Sequence, residues 1–91
     1  MDKVEIEVDV KQLRKLPNHI VDKLLNWVVA VRLYGLESVR KKPGYHDEPL
    51  QGKRFGQRSI RLRRAYRAIY IVDTSKNLRV IVVIEVNKHE Y

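Results

Sequence analysis

Cations dominate the part of this sequence best equipped for chemistry, the segment GKRFGQRSIRLRRAYRAIY at positions 52–70. It holds seven Lys or Arg residues, and Arg61 and Arg63 alternate with apolar neighbours, as side chains do on a β-strand. Like charges this close repel one another and destabilise a compact fold. Their concentration therefore predicts an anionic partner, although a solvated strand face would account for Arg61 and Arg63 equally well.

Arg67 differs from these cations because it shares strand parity with Ile69 and Ile71, which places it on a partly apolar face. A partly buried arginine needs an anion beside it. Within the chain, Glu85 on a later strand is one residue that could supply the charge. The sequence thus predicts either an internal ion pair or a bound anion for Arg67.

Two histidines and a glutamate lie outside the basic segment. Glu48, on its own, is an ordinary loop carboxylate beside Pro49. His89 is in the C-terminal NKHEY, and a histidine there could titrate near neutral pH and serve as a general acid. His46 and His89, in a chain without cysteine, make a weak case for a metal site.

The composition limits the class of partner. The chain has 91 residues, which predicts one domain over 1–91, and 44% of them are hydrophobic, which argues against disorder. The net charge of +8 favours nucleic acid as the partner, ahead of an anionic membrane surface or an acidic protein. The absence of cysteine excludes a disulfide framework and a cysteine-ligated zinc site.

No segment resembles a membrane or secretion signal. The N-terminus MDKVEIEVDV alternates charged and apolar residues and lacks the continuous apolar core of a signal peptide. No apolar run approaches the ~20 residues that span a membrane. We therefore expect a soluble, intracellular protein with no membrane partner.

The hydrophobic pattern predicts the elements that must position these residues. Alternation over 3–10 predicts a strand with one buried face. Residues 11–16 predict a short helix that ends at the following proline. Asn18 is the expected N-cap of a longer helix, which Trp27 anchors on the sheet and which Gly35 ends or kinks.

The second half of the chain predicts a loop and a meander. Residues 45–55 are polar and contain proline and glycine, which indicates a loop. Three strands joined by short turns are predicted after it, at 57–63, 66–73 and 78–86. The last is apolar on both faces, which is typical of a central strand. The predicted fold class is α+β, β-α-α-β-β-β, with two N-terminal helices packed on one face of a mainly antiparallel four-stranded sheet.

The run EPLQGKRFGQRSIRLRRAYRAIYIV, with VIEVNKHEY closing the chain, resembles the RelE/ParE superfamily of bacterial toxins. Within it, the run is most similar to the RelE, HigB and YoeB ribonuclease branch. The resemblance covers the whole chain, through the element order, the EPL loop, the SIRL and YRAIY strands and the short tail. It implies a RelE-like fold and the toxin of a type II toxin–antitoxin pair.

The resemblance also implies a chemistry. Such toxins cleave mRNA, usually in the ribosomal A site, without a metal or another cofactor. The 2′-OH of a ribose attacks the adjacent phosphodiester and leaves a 2′,3′-cyclic phosphate and a 5′-hydroxyl, so the substrate must be RNA. A base must take the 2′ proton, cations must hold the charge on phosphorus, and an acid must protonate the leaving oxygen.

Residues of this chain match the functional positions of these toxins one by one. Glu48 in EPL lies where the YoeB-like members have their proposed base. Arg67 in YRAIY matches the phosphate-clamping arginine, and Arg61 in SIRL matches a catalytic lysine of RelE. His89 and Tyr91 are similar to a C-terminal histidine and the terminal tyrosine of YoeB.

Further basic residues are expected to bind RNA or rRNA. They are His46, Lys53, Arg54, Arg58, Arg63 and Lys88. The chain also departs from the pattern, because Ser59 stands where RelE has a second catalytic lysine. The match with Glu48 and His89 favours a carboxylate–histidine mechanism, and leaves the base and the acid unassigned among Glu48, His46, His89 and Tyr91.

The implied partners are a cognate antitoxin, acidic where it covers the basic face, and mRNA on the ribosome with its rRNA. The toxin–antitoxin complex is expected to bind operator DNA through the antitoxin, in the bacterial cytoplasm. Two alternatives remain open. One is a ParE-like toxin that inhibits DNA gyrase without nuclease activity, against which Arg67, His89 and Tyr91 argue. The other is a noncatalytic basic module that binds nucleic acid or serves autoregulation.

Overall fold

Three α-helices and five strands make up the part of the chain that the structure, a computed structural model, describes: residues 4–75 and 79–88. The elements are β1 Val4–Val8, α1 Val10–Leu13, α2 Asn18–Tyr34, α3 Leu36–Arg40, β2 Glu48–Pro49, β3 Arg58–Arg63, β4 Tyr66–Asp73 and β5 Arg79–Lys88. Two 3-10 turns, Pro43–Tyr45 and Gly52–Arg54, flank β2. The predicted α+β class is confirmed, with α3 as an additional short helix.

The sheet has the strand order β1-β5-β4-β3-β2. The predicted meander of β3, β4 and β5 is antiparallel, and β1 pairs with β5 in parallel. The prediction of four strands is wrong by one, because Glu48 and Pro49 form a fifth strand opposite Ser59 and Arg58. A proline is tolerated there because β2 is an edge strand, where no further neighbour needs its missing N–H.

Helix α2 supplies the main hydrophobic contact with the sheet. Trp27 is fully buried and its ring centroid lies 5.1 Å from that of Tyr70 on β4, as the anchoring prediction requires. The helix begins one residue earlier than predicted: Asn18 is its first residue, and the carbonyl of Pro17 accepts from the amides of Ile20 and Val21. Gly35 separates α2 from α3 with a φ of 83°, a backbone angle that glycine adopts without strain.

A bulge in β5 shapes the end of the sheet that carries the basic residues. Ile69 stands opposite Glu85 but Tyr70 stands opposite Val83, so Ile84 is the extra residue. The Gln12 side chain bridges it, donating to the carbonyl of Ile84 and accepting from the amide of Val86, both at 2.9 Å. Among the described residues, no helix combines the length and hydropathy that crossing a membrane requires.

Candidate active site on the open sheet face

Arg67 is the centre of the site, and strand pairing explains its position. It lies on β4 opposite Arg61 on β3 and Asn87 on β5, on the face away from the helices. Its Nε donates to the Ser59 hydroxyl at 2.6 Å, and its Nη2 lies 2.9 Å from Glu48 Oε1. The guanidinium is therefore held at two of its nitrogens. Its internal anion is Glu48, whereas Glu85, the one candidate named from the sequence, pairs with Arg54.

Glu48 reaches this face because it belongs to edge strand β2. Its Cα partner is Ser59, so both side chains flank Arg67. The Glu48 side chain is 49% exposed, and its second oxygen lies 4.0 Å from His46 Nε2. His46 itself has a φ of 48°, in the left-handed region, where the chain turns out of the 3-10 turn Pro43–Tyr45. A carboxylate, an imidazole and an arginine are thus brought together at one edge of the sheet.

Asp47, between these two residues, points the opposite way and fixes the loop. Its side chain is 1% exposed, with Oδ1 2.6 Å from Arg58 Nε and Oδ2 accepting from the Tyr70 hydroxyl at 2.5 Å. Burial, reinforced by this hydrogen bond, raises the pKa of Tyr70 to about 12. Burial alone would lower the pKa of Arg58, but Asp47 raises it above its usual value. Both groups therefore keep the protonated forms that bind the carboxylate.

A cleft of about 350 Å³ lies over Arg67. One wall is closed by Arg54, whose Nη2 lies 2.8 Å from Glu85 Oε2 and whose Nη1 donates to Gln57. The residues that line the cleft are Glu48, Leu50, Arg54, Ser59, Arg67, Ile69 and Asn87. Arg54 and Arg67 therefore contribute anion donors to the lining of the cleft.

Arg61 is exposed beside the cleft and makes no ion pair or side-chain hydrogen bond with any other described residue. Two arginines directly opposite each other on neighbouring strands repel. Glu48 neutralises one of them, which leaves the charge of Arg61 free for an anion. The sequence prediction that this face binds an anion is consistent with that placement and remains a prediction.

The other predicted contacts are dispersed. Lys53 is exposed in the turn Gly52–Arg54, and Arg63 follows a break in the register of β3. Lys88 is exposed at the end of β5, opposite Tyr66. Arg58 stands opposite Tyr70 on the helix side of the sheet, where Asp47 engages it.

The predicted roles of His89 and Tyr91 lie outside the described residues. Sequence reasoning missed Asp47, Asn87 and Leu50, and gave Ser59 no function. Asn87 could have been found from the sequence. It lies two residues after Glu85, so alternation places both side chains on the same face of the strand that pairs with the strand of Arg67. Across 4–75 and 79–88, no group of three or more His, Asp or Glu residues could hold a metal ion.

The described structure is similar to solved toxin structures, although the sequence matches no protein-family model and no curated protein. YafQ from Escherichia coli superposes with a TM-score of 0.71 at 16% identity, over 94% of this chain and 93% of that one. A YoeB/ParE toxin from Agrobacterium tumefaciens gives 0.64 at 18% identity, over 94% and 99% of the two chains. The toxin–antitoxin complex RelBE2 from Mycobacterium tuberculosis gives 0.56 at 23%, over 93% and 96%.

The chain has the RelE-like fold. Similarity at such low identity establishes the architecture, and the chemistry must be argued from the residues themselves. In this RelE-like fold the open face of the sheet carries Arg67, Glu48 and Ser59 in mutual contact, and the helices cover the other face.

Proposed function

We infer that this protein is the toxin of a type II toxin–antitoxin pair and that it cleaves mRNA, on the ribosome, in the cleft between Glu48 and Arg67. The single observation that carries the proposal is the Ser59–Arg67–Glu48 contact set on an open, basic sheet face. It combines an oriented guanidinium with an exposed carboxylate, which are the groups that phosphodiester cleavage by a ribose 2′-OH requires.

The Glu48 carboxylate occupies a position that a phosphate oxygen would take at Arg67. When the scissile phosphate binds the guanidinium, Glu48 is released and can accept the proton of the neighbouring 2′-OH. The 2′ oxygen then bonds to phosphorus, and Arg67 and Arg61 stabilise the charge on the phosphorane oxygens. The bond from phosphorus to the 5′ oxygen breaks, and an acid protonates that oxygen.

The acid is assigned to the set His46, His89 and Tyr91. His46 Nε2 lies 4.0 Å from Glu48 Oε2, so it is adjacent to the proposed base. Ser59 has a positioning role, because its hydroxyl fixes Arg67 Nε and leaves the rest of the guanidinium for phosphate. The products would be a 2′,3′-cyclic phosphate and a 5′-hydroxyl.

The proposed protein partner is a small antitoxin in the bacterial cytoplasm. The RelBE2 structure of the same fold is a toxin–antitoxin complex, which supports this assignment. The net charge of +8 favours acidic residues on the antitoxin where it covers the open face. Such a complex would occlude the cleft and could bind operator DNA through the antitoxin.

Primer extension on an mRNA in a cell-free translation reaction tests the proposal. Wild-type protein should produce discrete cuts that depend on translating ribosomes. Arg67→Ala removes the phosphate-binding guanidinium, and we expect cleavage to fall by about 10²–10³-fold, as for loss of one preorganised donor. Arg32→Ala is the matched control, because Arg32 is an exposed arginine on α2.

Three results would contradict the proposal. Equal cleavage by wild type and Arg67→Ala would remove the cleft from the chemistry. Intact mRNA together with inhibited gyrase supercoiling would favour the ParE-like alternative. Intact mRNA with active gyrase would favour a noncatalytic nucleic-acid-binding module.

A further inference from the structure

Phe55 is exposed to an extent that packing does not explain. It is 83% exposed, more than any other large hydrophobic residue among 4–75 and 79–88. It follows the basic pair Lys53 and Arg54 in the connection between β2 and β3. An aromatic ring in water beside cations is a feature of surfaces on which unpaired bases stack.

The loop that carries Phe55 is held in place at several points. The amide of Leu50 donates to the carbonyl of Gln57 at 2.9 Å, that of Gln57 to Arg54 at 3.0 Å, and that of Phe55 to Gly52 at 3.1 Å. The Arg54 side chain is tied to Glu85 on β5 and to Gln57. Because these hydrogen bonds already order the loop, the Phe55 ring loses little further conformational entropy when a ligand stacks on it.

Phe55 lines a second groove, of about 350 Å³, that adjoins the Glu48–Arg67 cleft. The two cavities have Leu50 as a common wall. The groove is lined by Pro49, Leu50, Gln51, Phe55, Gly56, Gln57 and Arg58. It therefore offers an apolar surface for a base and two side-chain amides, Gln51 and Gln57, for the edge of that base.

We propose that Phe55 is a stacking platform for an unpaired RNA base in a nucleotide next to the one whose phosphate binds Arg67. The proposal rests on the proposed function for the identity of the nucleic acid. The shared wall with the phosphate-binding cleft and the exposed cation Lys53 favour a nucleotide over an apolar protein segment.

Three variants at position 55 separate stacking from general hydrophobicity. Their affinities are measured by fluorescence anisotropy with a fluorescein-labelled single-stranded RNA in which every ribose is 2′-O-methylated, so that it cannot be cleaved through its 2′ oxygen. Phe55→Ala should weaken binding about 5- to 150-fold, the usual effect of losing one base–aromatic stack. Phe55→Leu, which keeps an apolar side chain without a ring, should weaken it similarly, and Phe55→Trp should bind at least as well as wild type.

Leu33→Ala is the matched control, because Leu33 is a 68% exposed apolar residue on α2. The proposal is overturned if Phe55→Leu binds as tightly as wild type, or if Leu33→Ala loses as much affinity as Phe55→Ala. It is also overturned if Phe55→Ala keeps its RNA affinity but no longer binds the co-expressed antitoxin, since Phe55 would then contact protein.

The outcome is separable from that of the proposed function. The labelled RNA cannot react, so stacking is detected even in a protein that proves to cleave nothing. Conversely, ribosome-dependent cleavage that Phe55→Ala leaves unchanged, together with unchanged affinity, would reject only the stacking proposal. Circular dichroism should give the same unfolding temperature for all three variants, because the replaced ring makes little contact with the core.

Discussion

Arg67 and Glu48 form the ion pair to which the proposed function assigns the chemistry, and both were predicted from the sequence as site residues. What the sequence could not give was their contact. Strand parity places Arg67 on a face, but does not tell which acidic side chain approaches that face from another part of the chain. The contact with Glu48 depends on the edge strand β2, and that of Glu85 with Arg54 depends on the turn after it.

Glu48→Gln tests the assigned base at the residue scale. Glutamine keeps an oxygen that can accept from Arg67 Nη2, so the fold and the RNA affinity should stay close to those of the wild type. The amide cannot accept the 2′ proton, and the cleavage rate should fall by about 10²–10⁴-fold. Single-turnover cleavage with saturating ribosomes measures the rate apart from binding.

The control for this variant is Glu37→Gln on α3, where the carboxylate pairs with Arg79 rather than with a site residue. A Glu48→Gln protein that cleaves as fast as wild type would transfer the base role to His46, His89 or Tyr91.

At the scale of elements, the periodic segments and the short helix before the first proline were predicted, and strand β2 was not. Helix α2 and strands β3, β4 and β5 repeat their hydrophobic period often enough to be recognised. Strand β2 has two residues, one of them a proline, so neither period nor propensity can reveal it. It forms because Asp47 locks the loop onto Arg58 and Tyr70, contacts between residues far apart in sequence.

Asp47→Asn tests this brace. The amide oxygen can still accept a hydrogen bond from Arg58, but the negative charge is lost. The amide nitrogen that replaces the second oxygen cannot accept the hydrogen bond that the Tyr70 hydroxyl donates. We therefore expect the free energy of unfolding to fall by about 1–3 kcal/mol. Thermal unfolding by circular dichroism should show it as a drop of about 4–8 °C per kcal/mol for a domain this small. Cleavage below the unfolding temperature should also fall, because His46 and Glu48 flank the brace.

Asp22→Asn, an exposed position on α2, is the control for the loss of one carboxylate. If Asp47→Asn unfolds at the wild-type temperature, the brace does not hold the loop, and its effect on the site is disproved.

For the whole molecule, the element order predicted the architecture, which the structure confirms, whereas the nucleic-acid partner that the net charge favours stays a prediction. The parallel pairing of β1 with β5 was beyond sequence reasoning, because alternation shows that a strand has one buried face but not which strand it joins. The bulge in β5 could not be predicted from the sequence either. Its bridge to Gln12 depends on where β1 ends and helix α1 begins, because that sets the position of Gln12 beside β5.

The free energy of unfolding should decrease at alkaline pH because the Tyr70 hydroxyl ionises less readily in the folded protein than in the unfolded chain. Its pKa is raised to about 12 in the folded protein, whereas an unfolded tyrosine titrates near 10. Below about pH 10 both states keep the proton, and the stabilisation is complete; between about 10 and 12 the unfolded chain loses its proton first, so the free energy of unfolding declines. Lysines titrate in the same range, so the comparison is between wild type and Tyr70→Phe.

Tyr70→Phe should be less stable than wild type near neutral pH, since Asp47 loses a buried donor. The difference between the two unfolding temperatures should shrink as the pH rises through this window. Curves that stay parallel up to about pH 12 would show that the Tyr70 hydroxyl does not remain protonated in the fold.

The proposed function requires the Glu48–Arg67 cleft to cleave RNA by attack of a ribose 2′-OH. The most direct measurement uses a synthetic mRNA with a single 2′-deoxynucleotide at the mapped cut, translated beside its all-ribose counterpart in the same extract with purified protein. We expect the all-ribose message to be cut, leaving a 2′,3′-cyclic phosphate, and the deoxy-substituted message to stay intact at that bond. Cleavage of the deoxy-substituted bond at the wild-type rate would contradict the proposed function.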